Sequence, residues 1–455
     1  MLNWTVKNYA TSSTSKSMDR QTIVFHLPDE LIEKIVDYTV KAGNVKICLD
    51  PFPLLPLTTL QNDKCLSIPT QSPPHQTNLA NFCLLNRQWY RVAVTRLYAR
   101  PWLYGTNYDL FVRTVCPGTT FGPVRRVQNR DLAEFVKELD LQLLVHQGSK
   151  SVTARLIGRT KTNLKIFRAP RSVFGVNCLA ALSKCTQLRV LDLSAINSLV
   201  SYWDFARTLE KLPQLESLDA PRITTNNGPE HLHTIMSTRV PWPTTLSRLR
   251  LSSMYPSNDL AWIVQGPPPW VNPGLPNTLT VLVIQNGQFD RTILAKMLEN
   301  AGPQLRDLTL TNLTKVGIFN DVLGYAQNLE RLCISTNLIN SLFPTFGTLD
   351  SCSQIHHPLQ RLEIATCSGN IEVRADLSYF SIISLANTLH GGILTNLRRV
   401  DIWKSAVPRF RIDELECKLV HERLLALVAE EASGGEDAGL YTLDDNGWDG
   451  MVKLE

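Results

Sequence analysis

The sequence predicts an α/β chain in two parts: a module of three short helices, then a solenoid of strand-plus-helix repeats whose parallel strands line a concave face. Three observations predict it. From residue 136 onward, an apolar residue, two others, an apolar residue, one other and an apolar residue recur ten times. Several of the intervening segments have helical apolar spacing. Ahead of the repeats, residues 25–98 hold further apolar positions at helical spacing, too little core to stand alone, so a partner or the following domain should cover them.

Composition sets the outer limits. The 455 residues carry 46 Lys+Arg against 41 Asp+Glu. A net charge of +5 is too small to mark a general nucleic-acid or membrane-surface binder. Ten cysteines are scattered without a CxxC pair, which argues against a zinc module or a secreted disulfide framework and fits the reducing cytosol or nucleus. The longest uncharged stretch, Leu260 to Phe289, contains Pro267, Pro268, Pro269, Pro273 and Pro276, so no membrane span is expected. Residues 1–22 are Ser/Thr-rich, with Lys7, Lys16 and Arg20 against Asp19, and read as a disordered tail, with a mitochondrial presequence as the alternative.

The first helix follows from Leu27, Leu31, Ile32, Ile35 and Val36 at helical spacing, with Pro28 where a first turn tolerates proline. Residues 43–78 hold six prolines and read as an irregular insertion. One or two more helices follow from Leu79, Phe82, Leu85, Trp89, Val92 and Leu97. The run Leu27-Pro28-Asp29-Glu30-Leu31-Ile32 with Ile35, then Leu79, Leu84-Leu85 and Asn86-Arg87-Gln88-Trp89 ahead of Tyr98, resembles the F-box. That module docks on the Skp adaptor of Skp–cullin–F-box ubiquitin ligases. It is placed at residues 23–102. The insertion departs from the family pattern, as does Asn86 where a small Ser or Cys is usual. The resemblance implies that Leu27, Pro28, Leu31, Ile32, Ile35, Leu79, Leu84, Leu85 and Trp89 contribute to the adaptor contact.

A linker is expected at 103–135, and repeats at 136–410. The ten units are Val136/Leu139/Leu141, Leu164/Phe167, Leu188/Leu191/Leu193, Leu215/Leu218/Ala220, Leu246/Leu249/Leu251, Leu279/Leu282/Ile284, Leu305/Leu308/Leu310, Leu329/Leu332/Ile334, Leu359/Leu362/Ile364 and Leu397/Val400/Ile402. Their starts lie 24 to 38 residues apart, with a mean of 29. Helical spacing appears between them at 179–185, 205–212, 293–300, which Gly302 and Pro303 terminate, and 377–389. A unit of this kind cannot bury its apolar face alone, so neighbours stack into a curved solenoid. The pattern resembles the leucine-rich repeat, and 184–193 look like its cysteine-containing subtype. The Asn expected after the strand is present at Asn337 and missing from most units, so irregular turns and long outer loops are expected at 220–245, 252–278 and 337–357. A helix at 411–429 should cap the open end, and 430–455, with eight acids and one lysine, read as a solvated acidic tail.

Searches for chemistry find no GxSxG, HExxH, GxxxxGK[ST] or GxGxxG. His231/His233 and His356-His357 fall in expected loops without cysteines at ligand spacing and read as ordinary surface residues. Cys417 and His421 are one helical turn apart but lack an orienting third group. No catalytic residue, metal ligand or cofactor is therefore assigned. From Leu141 to Leu191 there are nine basic residues and no acid, read as a solvated face or a surface for an acidic or phosphorylated ligand. The residue before the second apolar position should project from the concave face, and in the last three units it is Arg331, Arg361 and Arg399. Such a column needs anionic relief, from Glu363 and Asp401 within the chain or from a target protein. The expected function is substrate recognition, without catalysis, in a Skp–cullin–F-box ubiquitin ligase, with the Skp adaptor, and through it cullin, as partners and an unknown protein target. A repeat scaffold without a ligase role is the alternative.

Overall fold

The computed structural model describes residues 27–43, 74–116, 132–144, 149–224, 241–252, 275–289, 291–314, 316–344, 357–365, 382–390, 394–403, 414–430, 438–443 and 452–453. The expected tail at 1–22, most of the insertion at 43–78, His231, His233 and His356 lie outside them.

The first three helices among the described residues are α1 (Asp29–Gly43), α2 (Pro74–Leu85) and α3 (Arg87–Ala99). Asp29 and Glu30 in the first turn of α1 and Lys41 in its last complement the helix dipole. Asn86 caps α3, its side-chain oxygen accepting the Gln88 and Trp89 N–H groups. This explains a capping-competent residue at that place. Ile32, Val36, Leu79 and Ala93 close a core of their own inside the three helices.

The stretch expected to be a linker holds a helix, α4 (Thr106–Val115), whose Tyr108, Phe111 and Val115 are buried in the solenoid's core. An open repeat stack exposes its first apolar layer, and α4 covers it. The i, i+3, i+7 spacing of those three residues carries the signal.

Among the described residues, eleven strands then run parallel in chain order in one sheet: β1 (Glu138–Asp140), β2 (Ile166–Arg168), β3 (Val190–Asp192), β5 (Ser217–Ala220), β7 (Arg248–Ser252), β8 (Val281–Gln288), β9 (Asp307–Thr314), β10 (Arg331–Ser335), β11 (Arg361–Ala365), β12 (Arg399–Trp403) and β13 (Gly439–Leu443). A side ladder joins β4 (Val200–Ser201) to β6 (Ile223–Thr224), and β14 (Val452–Lys453) pairs antiparallel to β13. The apolar residues of all ten repeat units are at most 2% exposed. Register follows the motif, for Leu139 faces Phe167, Leu218 faces Leu249 and Leu332 faces Leu362. Helices α5 (Lys150–Thr160), α6 (Val176–Leu182), α7 (Tyr202–Leu209), α8 (Arg291–Ala301), α9 (Val322–Tyr325), α10 (Ile382–His390) and α11 (Glu414–Glu430) lie between successive strands at both ends of the stack. They bury one face each, as Leu156 and Ile157 do in α5.

Two tight positions shape the stack. Gly302 follows α8 where a Cβ would lie 2.1 Å from the Tyr325 carbonyl oxygen, so close approach, beyond helix termination, calls for glycine there. The β8–β9 register skips Asn286 and Asn312, which sit at φ +52° and +54°, and resumes at Gly287 opposite Leu313, and the Asn312 amide donates to Asn286.

The C-terminal end departs from expectation. Helix α11 does not cap the stack, because β13 follows it and pairs with β12 along five positions, and its buried face is Cys417, Val420 and Leu424, with Leu419 exposed. Within the expected acidic tail, Leu440 is buried in the core and its N–H donates to His421 Nδ1 at 3.1 Å. Leu440 falls at a motif position opposite Val400, but Thr442 stands opposite Ile402, so the repeat pattern breaks and this eleventh strand leaves no periodic signal.

Candidate functional site

Two surfaces are built by this fold. The first lies on the helical module. Gln88 Nε2 donates to the Leu27 carbonyl and to Asp29 Oδ1, both at 2.6 Å, and Arg96 holds Asp37 at 2.8 Å, which fixes α1 against α3. With Ile32 and Val36 turned inward, the opposite stripe of α1 faces water: Leu27, Leu31 and Ile35 are 39–44% exposed. Leu84 and Leu85 at the end of α2 are 60–63% exposed. Tyr38 continues the α1 stripe and is still more open, a residue that the 3.6-residue period points to and the motif alone does not.

Of the residues expected at the adaptor contact, Leu27, Pro28, Leu31, Ile35, Leu84 and Leu85 are exposed. Ile32 and Leu79 are not, since they complete the module's own core. Trp89 is half-buried against Phe82, ring centroids 5.0 Å apart. Each of the five exposed aliphatic residues has about half its surface left to cover, worth roughly 1 kcal/mol apiece before the cost of association is subtracted.

The second surface is the concave face. Arg331, Arg361 and Arg399 stand in register on β10, β11 and β12. The chain supplies their counter-charge. Arg331 meets Asp307 at 2.8 Å, while Arg361 Nε at 2.7 Å and Arg399 Nε at 2.8 Å share the wholly buried Asp401. Arg399 also lies over the Tyr441 ring, 4.6 Å from its centroid. Glu363 lies 3.9 Å from Arg361 and accepts the Trp403 indole N–H at 2.7 Å, and burial pushes its carboxyl above the usual range. Arg331 and Arg361 keep 59% and 38% of their side chains exposed, while Arg399 is nearly sealed.

Nearer the N-terminus the same face pairs Arg168 with Glu138 at 2.7 Å and Asp140 at 3.1 Å. Asp219 is fully buried with Arg250 3.6 Å away, and burial, then the Asp192 charge, holds its carboxyl well above the usual value.

The titratable groups are employed structurally. His357 is buried rather than on a surface loop; its Nε2 lies 3.1 Å from the Ala326 carbonyl, its Nδ1 accepts the Leu359 N–H, and burial lowers its pKa. His421 Nδ1 accepts the Leu440 N–H, which gives this ring nitrogen a structural task. Burial pushes the Cys83 thiol up to about 11 and Cys185 to about 12. Among the described residues, no three His, Cys, Asp or Glu side chains gather as a metal site, and no helix is long and apolar enough to cross a membrane.

No family model matches the chain. It is 24% identical over 300 residues to the F-box protein YDR306C of Saccharomyces cerevisiae, which covers 64% of this chain and 56% of that protein. It is 25% identical over 323 residues to Protein pof5 of Schizosaccharomyces pombe, 71% of this chain and 83% of that one. Among solved structures, a TLR13–ssRNA13 complex aligns over 60% of this chain and 36% of its own, with 16% identity and a TM-score of 0.32. The leucine-rich-repeat ectodomain of the Arabidopsis thaliana receptor kinase GASSHO1/SCHENGEN3 aligns over 54% and 30%, with 14% identity and a TM-score of 0.26. The F-box relative supports an F-box-type protein, and the parallel stack supports the leucine-rich-repeat architecture on its own geometry.

Proposed function

We propose that the chain is the non-catalytic substrate-recognition subunit of a Skp–cullin–F-box ubiquitin ligase, docking the Skp adaptor through α1 and α2 and holding a protein target on the solenoid. The observation that carries this reading is the exposed apolar stripe of Leu27, Leu31 and Ile35 with Leu84 and Leu85, on a module whose inward residues already close a core. A monomer that leaves such a stripe uncovered presents an interface. On the concave face, Arg331 and Arg361 are the proposed target contacts, while Arg399 acts through its hold on Asp401. The role is one of effective concentration: the module fixes one end on the ligase and the solenoid keeps the target's lysines near the ubiquitin-loaded enzyme. The free thiols among the described cysteines suit a reducing cytosol or nucleus.

Purification of the full tagged chain from cells, with mass identification of what accompanies it, tests the reading. Skp adaptor and cullin together are expected with the parent and absent with Leu31→Asp/Leu85→Asp. Adaptor without cullin favours the scaffold reading, and neither protein with the parent refutes both docking claims.

A further inference from the structure

One residue leads into each repeat strand, and its carbonyl accepts N–H groups from the next strand's entry. These residues therefore form a column along one edge. Lys137 accepts from Lys165 and Ile166 at 2.7 and 3.1 Å, Lys165 from Arg189 and Val190 at 2.8 and 3.0 Å, and Arg189 from Glu216 at 2.8 Å. Neighbouring strands lie about 4.8 Å apart, so Lys137, Lys165 and Arg189 present three cations over roughly 10 Å. A second row runs beside them: Lys161, Lys184 and Lys211 stand at the C-terminal ends of α5, α6 and α7. All six are exposed.

The same column neutralises itself further on. Arg306 meets Glu330 at 3.4 Å, and Arg189 is the first to find an acid, Glu216 at 3.5 Å. Among the described residues, no carboxylate lies within ion-pair distance of the five lysines. Helix dipoles account for Lys161, Lys184 and Lys211 one at a time, but Lys165 stands at a strand entry past the C-cap of α5, and Lys137 follows only a single 3-10 turn, Leu132–Phe135.

We propose that this edge of the first three repeats is a docking surface for an acidic peptide segment of a partner protein, with carboxylates or phosphates as the recognised groups. The intervening exposed residues are Thr162, Asn163, Thr186, Gln187 and Gln214, polar groups suited to a peptide, with Pro213 beside them; the Asn163 amide donates to the Glu134 carbonyl at 2.7 Å. None is an aromatic platform on which single-stranded nucleic acid stacks, and none is an apolar anchor for a bilayer. The surface is separate from the adaptor face. Lys137 N–H is held by the Ala99 carbonyl at the end of α3, whereas Leu27 is held by Gln88 at its start, about 16 Å away along the helix. The proposal stands whether or not the module docks an adaptor.

The test is fluorescence anisotropy on the full chain, with a short alternating Glu-Gly peptide, its phosphoserine counterpart and a neutral Gln-Gly control, beside an oligouridine and phosphatidylserine vesicles. At least one anionic peptide should bind, more weakly as salt rises, and the control should not. Lys137→Glu/Lys165→Glu/Lys184→Glu should lower that affinity about tenfold or more, given three exposed charge contacts. Lys137→Gln/Lys165→Gln/Lys184→Gln should give a smaller loss in the same direction, and Arg306→Glu none. Equal binding by parent and both triple variants overturns the proposal. So does binding of the oligonucleotide or vesicles with neither peptide bound.

Discussion

Replacing Asp401 with alanine removes the carboxylate that Arg361 and Arg399 share at 2.7 and 2.8 Å. Asp401 is wholly buried and Arg399 nearly so, and withdrawing one partner of a buried pair costs roughly 3–5 kcal/mol. Arg361, 38% exposed, turns to water instead and adds at most about 1 kcal/mol. In a stack where each repeat touches only its neighbours, the loss is local. Amide exchange in β12 and β13 should therefore speed up by about 10²–10⁴-fold, since 1.36 kcal/mol is a factor of ten, while β1 to β3 keep their rates. Arg399→Met/Asp401→Leu, which removes the pair together, should return to within about 1 kcal/mol of the parent. Acceleration of less than about threefold in Asp401→Ala, or equal acceleration throughout the sheet, would refute the reasoning.

Four further outcomes are expected. Gly302→Ala places a methyl 2.1 Å from the Tyr325 carbonyl oxygen and should cost more than about 3 kcal/mol in urea unfolding, as only exceptional substitutions do. Gly439→Ala meets His421 at 2.7 Å and fixes a side chain at φ +132°, so a loss of about 1–3 kcal/mol confined to β13 should appear in its amide exchange. Leu308→Ala, at a fully buried position of β9, should cost about 2–5 kcal/mol. Burial holds the His357 pKa below 6.5, so below that pH the unfolded chain takes up a proton that the folded chain refuses. Stability is then complete above about pH 6.5 and falls, by at most about 1.4 kcal/mol per pH unit, until the folded pKa is reached; His357→Gln should flatten that limb of a pH series of melting curves.

The solenoid was legible because its signal is periodic: each buried leucine repeats the same demand for a neighbour, and ten such demands align. Elements without repetition escaped. Helix α4 is a single short cap, and β13 buries Leu440 in an acid-rich setting where composition argues for a tail. On the helical module, a family motif names Ile32 and Leu31 together, but only the packing of α1 on α2 and α3 shows which of the two turns inward. The arginine column followed from strand alternation, and its sharing of Asp401 required the register. The basic run at 141–191 divides in space: Arg168 joins the concave face, while Lys161, Lys165, Lys184 and Arg189 meet Lys137 and Lys211 at the edge.

Titration of purified Skp adaptor into the full chain by calorimetry bears most directly on the account. Parent protein should bind saturably. Leu31→Asp should weaken binding at least about 100-fold, because an unpaired carboxylate would then be buried at the contact, yet leave the melting curve unchanged, because Leu31 already faces water. Equal affinity for parent and variant, or no binding to either, would contradict it.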